Sequence, residues 1–464
     1  MKTLKTPILP IGKTVVKSQG NHELDLEAIC FFVACGFFLD SDTYWKDEVV
    51  LSPGTQYQLD DNHKIISSKK WFQWHYSPRN IGFDDTLREF TSLFETIVKE
   101  QTDNKKVILP ISGGLDSRTQ AVALRDHPKV HSYSYEYAGG YPETKIAQRI
   151  AKACDFTFTS FTVPKGYLWD CIEDLADINQ CYSEFTHPRQ MAFIDAFKGM
   201  GHVFSLGHMG DLMFDSFGLP QLSFDEEIAV LTKLLLKKGG VELASSLWNA
   251  WGMGGRFEDY FERRLRMLLK GIEIEDTNAK LRAFKTKYYV SRWSSNNLSV
   301  FESVHPVTLP YYDDRMFEFI CTVPEEHLAN RRLQIAYIKK NAPELAKITW
   351  EGQRPFNLNS YHLNKSPYNL PYRVTNKMKR AFNELIGKPY ISRNWELQFV
   401  GKDNDQPLKK WLFESKLKEL VPKEIIKEFY EYFKQKDALK YSHSVSMLLT
   451  LALFQERFHK KPEL

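Results

Sequence analysis

The segment Ser-Gly-Gly-Leu-Asp-Ser at residues 112–117 has the residue types of a loop that binds phosphate. It follows an apolar run, residues 107–111, that is typical of a buried strand, and a helical pattern begins directly after it. Two glycines let the backbone bend so that successive amide N–H groups and the helix N-terminus point at one place, which suits phosphate oxygens. Because Asp116 would repel phosphate unless a cation lay between them, we predict a magnesium ion at this loop.

The same loop also has a purely structural interpretation. A turn rich in serine and glycine can cap a helix, with Asp116 as a favourable acid in its first turn. The strand, loop and helix setting favours nucleotide binding over this alternative. The loop is not the G-x-x-x-x-G-K-[ST] phosphate loop, so the sequence does not support a kinase or a GTPase.

Strand and helix patterns alternate around this loop, between residues 105 and 218. We predict strands at residues 107–111, 130–137, 156–163 and 202–206, and helices at residues 119–127 and 143–154. Strands separated by helices of this length form βαβ units, so the sequence predicts an α/β fold with a doubly wound parallel sheet. Ligands of such sheets bind beyond the carboxyl ends of the strands, where the loop at residues 112–117 would lie.

The rest of the chain has other patterns. Residues 24–76 indicate a short helix followed by strands and turns, whereas helical periodicity dominates after residue 220. A chain of 464 residues also exceeds the roughly 250–300 residues that one hydrophobic core supports. We therefore predict three regions: a small truncated β-rich N-terminal domain (1–80), a nucleotide-binding α/β domain (81–220) and a mainly helical region that covers the site (221–464).

Charge and composition narrow the classes of partner. Lysine and arginine number 62 against 58 aspartates and glutamates, a near-neutral balance that gives no support for nucleic-acid binding. We interpret the basic run Lys-Met-Lys-Arg at residues 377–380 as a solvated helix face. The six cysteines include no C-x-x-C pair, so we expect reduced, mostly buried thiols and neither a zinc site nor a redox pair.

The sequence gives no signal for export or for a membrane span. The first residues lack an apolar stretch, and the longest apolar run, residues 28–39, falls short of the ~20 residues of a membrane helix. We therefore expect a cytoplasmic protein, and the sequence leaves its oligomeric state open.

Two further segments extend the pattern of the loop: Gly-His-Met-Gly-Asp-Leu-Met-Phe at residues 207–214 and Leu-Pro-Tyr-Tyr-Asp at residues 309–313. With the loop at residues 112–117, they resemble the PP-loop ATP pyrophosphatases, and in particular the synthetase domain of the asparagine synthetases and the related β-lactam synthetases. The corresponding family segments read Gly-Glu-Gly-Ala-Asp-Glu-Leu-Phe and Val-Pro-Phe-Leu-Asp. The resemblance covers residues 24–355 and implies an adenine nucleotide alpha hydrolase-like fold that cleaves ATP between its α and β phosphates.

Carried over position by position, the resemblance implies a site for ATP and Mg²⁺. Asp116 and Asp211 would bind the magnesium ion, since two carboxylates from separate strand ends can share a cation that neither would hold well alone. The residues implied at ATP are Ile111 and Tyr135 at the nucleoside, Leu206 and Gly207 closing over it, and Ser112, Gly113, Gly114, Asp116 and Ser117 at the phosphates.

The chain also departs from the family pattern. Lys2 stands where the glutaminase half carries its catalytic cysteine, so ammonia, an amine substrate or a separate glutaminase would supply the nitrogen. His208 replaces a glutamate of the asparagine synthetases, which argues against asparagine as the product. His208 could take the proton from the attacking nitrogen, or it could simply pack at the domain junction. The family's lysine near the pyrophosphate is missing, and Arg354 is the nearest candidate, although a loop arginine is often only a surface ion pair.

The resemblance thus implies an ATP-dependent amide ligase that adenylates a small-molecule carboxylate and forms AMP and pyrophosphate. Relatives without the glutaminase are associated with bacterial surface polysaccharides, which suggests a uronic acid as the acceptor. Two alternatives remain open: a non-catalytic ATP-binding regulator and an RNA-modifying PP-loop enzyme. The near-neutral charge and the absent C-x-x-C pairs count against the second.

Overall fold

The computed structural model describes residues 2–18, 20–138, 144–386 and 399–460. The strands in these ranges are β1 (Lys2–Lys5), β2 (Val15–Lys17), β3 (Glu48–Val50), β4 (Thr55–Leu59), β5 (Ile65–Lys70), β6 (Val107–Pro110), β7 (Val130–Tyr137), β8 (Thr157–Val163), β9 (Val203–Ser205) and β10 (Val307–Thr308). The α-helices are α1 (Leu26–Cys35), α2 (Phe83–Thr102), α3 (Asp116–Ala123), α4 (Thr144–Ala153), α5 (Tyr167–Asn179), α6 (Gly210–Met213), α7 (Phe224–Leu235), α8 (Gly240–Ala250), α9 (Phe257–Lys270), α10 (Thr277–Phe284), α11 (Ser291–Glu302), α12 (Asp314–Ile320), α13 (Glu325–Leu328), α14 (Arg332–Asn341), α15 (Pro343–Ala346), α16 (Leu370–Leu385), α17 (Lys402–Lys409), α18 (Lys423–Glu431) and α19 (Ala438–Lys460).

A five-stranded sheet with the order β10-β9-β6-β7-β8 lies at the centre of the fold. All its neighbouring strands are parallel, and Val107 of β6 pairs with Val130 on one side and Val203 on the other. This confirms the predicted doubly wound parallel sheet. The chain runs from β6 outwards through β7 and β8 and then returns to β9 on the other side. The strand order therefore reverses between β6 and β9, which is where such sheets bind their ligands.

The central strand is apolar because both faces of the sheet are covered. Residues 107–109 have no exposed surface, as expected for a parallel sheet between helical layers. Helix α2 contributes an apolar stripe, and it packs with α3 and α14. The apolar residues of this stripe are buried and lie at helical spacing: Leu87, Phe90, Phe94, Ile97 and Val98.

The N-terminal part contains a three-stranded antiparallel sheet, β1-β4-β5, and the antiparallel pair β2 and β3. Between these strands, the apolar run at residues 28–39 includes α1, whose residues 28–35 are buried. The Asp25 side chain caps α1 by accepting the Ala28 N–H at 3.0 Å, and Gly36 ends it at φ 79°. The run is therefore a core helix. Among the described helices, none combines the length and apolar character needed to cross a membrane.

Helices dominate after β9, as predicted. Helix α10, a π-helical segment (Lys285–Val290) and α11 follow one another without interruption. The exception is β10, which pairs in parallel with β9 at the edge of the central sheet. A strand of two residues is too short to produce an alternating pattern, so β10 could not be predicted. Five of the six free cysteines are buried, as predicted, and Cys171 is partly exposed.

Candidate active site

The glycine loop (residues 112–117) connects the carboxyl end of β6 to the first turn of α3, as predicted. The backbone N–H of Ser112 donates to Ser117 Oγ at 3.0 Å, and the two serine hydroxyl oxygens lie 3.2 Å apart. The N–H of Gly114 donates to Ser112 Oγ at 3.2 Å. These bonds fix the curve of the loop around the N-terminus of α3, where the helix dipole favours an anion.

A second loop, which we call the cover loop (residues 350–354), packs on the glycine loop at Gly113. A Cβ atom on Gly113 would lie 2.6 Å from Glu351 Cβ and 3.2 Å from Ile146 Cγ2, so no larger residue fits without movement. The N–H of Glu351 also donates to the Gly113 carbonyl at 3.0 Å. The glycine at position 113 is therefore needed for close packing between the two loops.

Arg118 links the glycine loop to residues 345–349, which lead into the cover loop. Its side chain is fully buried, next to the buried Ser117 in α3. The guanidinium donates to four backbone carbonyls, those of Leu345 at 3.2 Å, Ile348 at 3.0 Å, Thr349 at 2.8 Å and Gly113 at 3.3 Å. Burial lowers the pKa of Arg118 to about 10, so it is cationic at neutral pH.

Asp116, the first residue of α3, lies against the backbone of Gly210. A Cβ on Gly210 would lie 2.6 Å from Asp116 Cγ and closer still to Oδ1. Arg331 forms an ion pair with Oδ1, and Gln334 Nε2 donates to the same oxygen at 3.0 Å. Burial raises the pKa of Asp116 to about 6; Arg331 opposes this shift and the negative charge of Asp211 adds to it.

Arg331 reaches Asp116 from an unusual backbone turn. Asn330 and Arg331 both adopt the left-handed conformation, with φ values of 57° and 61°, which is unfavourable for residues other than glycine. Burial raises the pKa of the Asp215 carboxyl, and interactions with the backbone of both residues oppose this shift. Arg331 Nε also donates to Gln334 Oε1 at 2.6 Å, so Asp116, Arg331 and Gln334 form a closed network.

Asp211 lies in α6, directly beyond β9, and its side chain is exposed. The N–H of Leu212 donates to Asp211 Oδ1 at 2.9 Å. Its negative charge raises the pKa of Asp116, and the two aspartates follow β6 and β9 at the reversal point of the sheet. In the described ranges, no group of three or more His, Cys, Asp and Glu side chains could hold a metal ion. A divalent cation at this pair would thus need phosphate or water oxygens as further ligands.

His208 lies between β9 and α6, with its ring edge towards Phe301 at a centroid distance of 6.1 Å. Its Nδ1 atom is buried and has no hydrogen-bond partner among the described residues. Burial lowers the pKa of His208 to about 4, although Asp211 opposes the shift. The imidazole is therefore neutral at neutral pH.

The residues predicted at the nucleoside lie on neighbouring strand ends. Ile111 and Leu206 are buried after β6 and β9, and Gln120 Nε2 donates to the Leu206 carbonyl at 2.7 Å. A Cβ on Gly207 would lie 3.2 Å from the backbone nitrogen of Ser117. The structure thus brings Ile111, Leu206 and Gly207 together around the glycine loop.

Tyr135 lies one strand further along, in β7. Its hydroxyl accepts a hydrogen bond from Arg189 at 3.1 Å, and its ring centroid lies 5.7 Å from that of Phe193. Sequence reasoning missed Arg189, because no motif links it to Tyr135 across 54 positions.

Arg354 lies in the cover loop and forms an ion pair with Glu351 at 3.3 Å. Both side chains are mostly buried, at 17% and 15% exposure, so this pair does not lie on the open surface. The structure therefore brings Arg354 beside the glycine loop, through the bond between Glu351 and Gly113.

Lys285 is a further cation that sequence reasoning missed. It begins the π-helical segment after α10 and is partly buried, and its Nζ lies 5.7 Å from the Tyr289 ring. Burial lowers the pKa of Lys285, and attraction to Asp211 opposes this shift. The lysine had no sequence signal, because it lies in an ordinary helical pattern far from any motif. π-Helical segments are nevertheless frequent at functional sites.

Comparison with known families agrees with this geometry. The family model described as asparagine synthase matches residues 89–456, from α2 to α19. The chain belongs to the asparagine synthase family. Membership supports an ATP-dependent amide ligase in general, and the match includes the glycine loop, α6 and the cover loop. A search of curated proteins finds no match to the chain.

Proposed function

We propose that this family member adenylates a small-molecule carboxylate with ATP and joins it to ammonia or an amine, releasing AMP and pyrophosphate. The main support is the position of Asp116 and Asp211, which lie beyond β6 and β9 where the strand order reverses. A uronic acid is the acceptor that we propose to test first, with a separate glutaminase as one source of the nitrogen.

The glycine loop would bind the phosphates, with Asp116 and Asp211 on a magnesium ion. The residues fit this ligand, since two neighbouring carboxylates provide part of a Mg²⁺ shell and phosphate oxygens can complete it. Bound magnesium would neutralise charge on the phosphates during transfer. The contacts of Arg331 and Gln334 both fall on Asp116 Oδ1, and we therefore assign Oδ2 to the metal.

Two basic residues are candidates to bind the leaving pyrophosphate and the carboxylate acceptor. Arg354 lies in the cover loop beside Gly113, and its fork of donors suits phosphate. Lys285 lies in the helical half and is attracted to Asp211, and a carboxylate acceptor would need a positive partner of this kind. The cover loop would also exclude water from the reacting groups.

His208 would accept the proton from the nitrogen nucleophile through its buried ring nitrogen. A base whose pKa is near 4 is weak, but a nitrogen loses its proton readily once its bond to carbon has formed. The nearby charge of Asp211 would stabilise the imidazolium after the transfer.

The experiment is incubation of the protein with ATP, magnesium, ammonia and a panel of uronic acids. AMP and pyrophosphate that appear only with an acceptor support the ligase. Nucleotide binding without AMP formation for any acceptor would favour the non-catalytic regulator, and AMP formation that depends on RNA would favour the RNA-modifying enzyme. Asp116→Asn should abolish turnover and retain the fold, whereas Asp195→Asn, a carboxylate 84% exposed and paired with Lys198, is the matched control.

A further inference from the structure

Helix α16 presents its apolar face to solvent. Large apolar side chains recur along it at helical spacing and are 43–85% exposed: Leu370, Val374, Met378, Phe382 and Leu385. The half-buried positions lie on the opposite face and are Tyr372, Asn376 and Asn383. A helix on the surface of a globular protein normally has the reverse orientation, with its apolar stripe towards the core.

Basic side chains border the exposed apolar face. With ~100° between successive residues, Arg373, Lys377 and Arg380 fall along one edge of the stripe and Lys379 along the other. All four side chains are exposed, and the sequence of the helix contains one acidic residue, Glu384. An apolar stripe bordered by lysine and arginine is typical of helices that lie in the interface of a membrane.

We propose that α16 binds the surface of a membrane that contains anionic lipids, with its axis in the membrane plane. Its 16 residues span ~24 Å, and the apolar stripe runs along most of this length. The exposed Tyr368, just before the helix, would lie at the level of the headgroups. Residues 377–380, which the sequence analysis interprets as a solvated helix face, are exposed on α16 and would gain a lipid-binding role under this proposal.

The charge of the helix favours lipid over a second copy of the chain. Two copies that met through this stripe would bring their basic borders together, and these like charges would repel. Anionic headgroups instead provide the opposite charge at the depth that lysine and arginine side chains reach.

Vesicle flotation with the full chain tests the proposal. The protein should bind vesicles of phosphatidylcholine and phosphatidylglycerol, bind pure phosphatidylcholine weakly, and dissociate as salt is raised. Met378→Glu, at a site 67% exposed, should lower the partition coefficient about tenfold or more. The matched control is Met267→Glu on α9, at a site 58% exposed, which should not change it.

Two further substitutions test the contribution of the basic side chains of α16. Lys377→Gln and Arg380→Gln should each weaken binding to the anionic vesicles by about fivefold. Thermal unfolding checks that every variant is folded. Absence of binding to both kinds of vesicle, or equal binding of Met378→Glu and the wild type, would overturn the proposal. Self-association in the ultracentrifuge that Met378→Glu abolishes, without vesicle binding, would identify a second copy as the occupant instead.

Discussion

Replacement of Gly210 by alanine should displace the Asp116 carboxylate without adding or removing any charge. The added Cβ would start 2.6 Å from Asp116 Cγ, whereas carbon atoms in contact lie about 3.5–4.0 Å apart. The carboxylate must therefore move by about 1 Å. Gln334 donates to it at 3.0 Å, and a bond lengthened by that amount is no longer a hydrogen bond.

The expected cost follows from these contacts. Loss of a hydrogen bond to a charged group costs about 1.5–3 kcal/mol, and the ion pair with Arg331 weakens as well. Because Asp116 is 24% exposed, hydrogen bonds from water to the displaced carboxylate offset part of this cost. We expect the free energy of unfolding to fall by about 2–3 kcal/mol and the Kd for MgATP to rise at least about tenfold. Helix propensity alone predicts the opposite effect of alanine on stability, an increase of about 1 kcal/mol in the free energy of unfolding.

Urea denaturation and titration calorimetry measure both effects. Gly254→Ala is the control, because no atom lies within 4 Å of the added Cβ and its backbone φ is not positive; it should leave stability unchanged or raise it by about 0.4–1 kcal/mol. In an Asp116→Ala background the two carboxylate atoms in conflict are gone and Tyr311 Cε2, 3.1 Å from the added Cβ, remains. Gly210→Ala should therefore cost less there, with a coupling energy of about 2 kcal/mol. Wild-type stability and MgATP affinity in Gly210→Ala would refute the packing of Asp116 on Gly210.

Three further results are expected. Arg118→Met should lower the free energy of unfolding by about 3 kcal/mol in urea, because the carbonyls of four residues lose a charged donor and, among the described residues, only those of Leu345 and Gly113 keep a backbone N–H donor. Because the pKa of Asp116 rises from 3.8 to about 6 on folding, the folded state binds its proton more tightly. As the pH is raised between these values, the stability of the wild type in urea relative to that of Asp116→Asn should therefore fall, while the MgATP affinity of the wild type rises. His208→Gln should lower turnover at least about tenfold and change the Kd for ATP by less than about twofold, and an unchanged rate would make His208 structural.

Much of the nucleotide-binding half could be predicted because its signals are local. The strand at residues 107–111 and the glycine loop are contiguous in sequence, and β6 and α3 appear there with shifted ends. The helix predicted at residues 119–127 begins earlier, at Asp116, since the last residues of the loop already form its first turn. The helix predicted from residue 143 appears as Thr144–Ala153, and residue 143 lies outside the described ranges.

The partners of the predicted residues could not be read from the sequence. Arg331 meets Asp116 across 215 positions and depends on two left-handed residues that have no glycine to signal them. Glu351 contacts Gly113 because the cover loop packs on the glycine loop, and no periodicity in the sequence indicates this contact. Local pattern thus located the loop, whereas its surroundings depend on tertiary packing.

The exposed apolar face of α16 shows a second limit of prediction from the sequence. The spacing of Val374, Met378 and Phe382 correctly indicates an amphipathic helix, and amphipathic helices in soluble domains usually bury such a stripe. The sequence does not say which face points inwards. That orientation depends on what the rest of the fold offers to the helix.

Calorimetric titration with ATP, in the presence and absence of magnesium, tests the proposed metal site most directly. The wild type should bind ATP tightly only with magnesium, and Asp116→Asn and Asp211→Asn should each weaken that binding at least about tenfold, with unchanged thermal unfolding in Asp211→Asn. Equal affinity for ATP in the presence and absence of magnesium would contradict a metal ion shared by these aspartates. The same conclusion would follow if both variants were folded and bound MgATP with wild-type affinity.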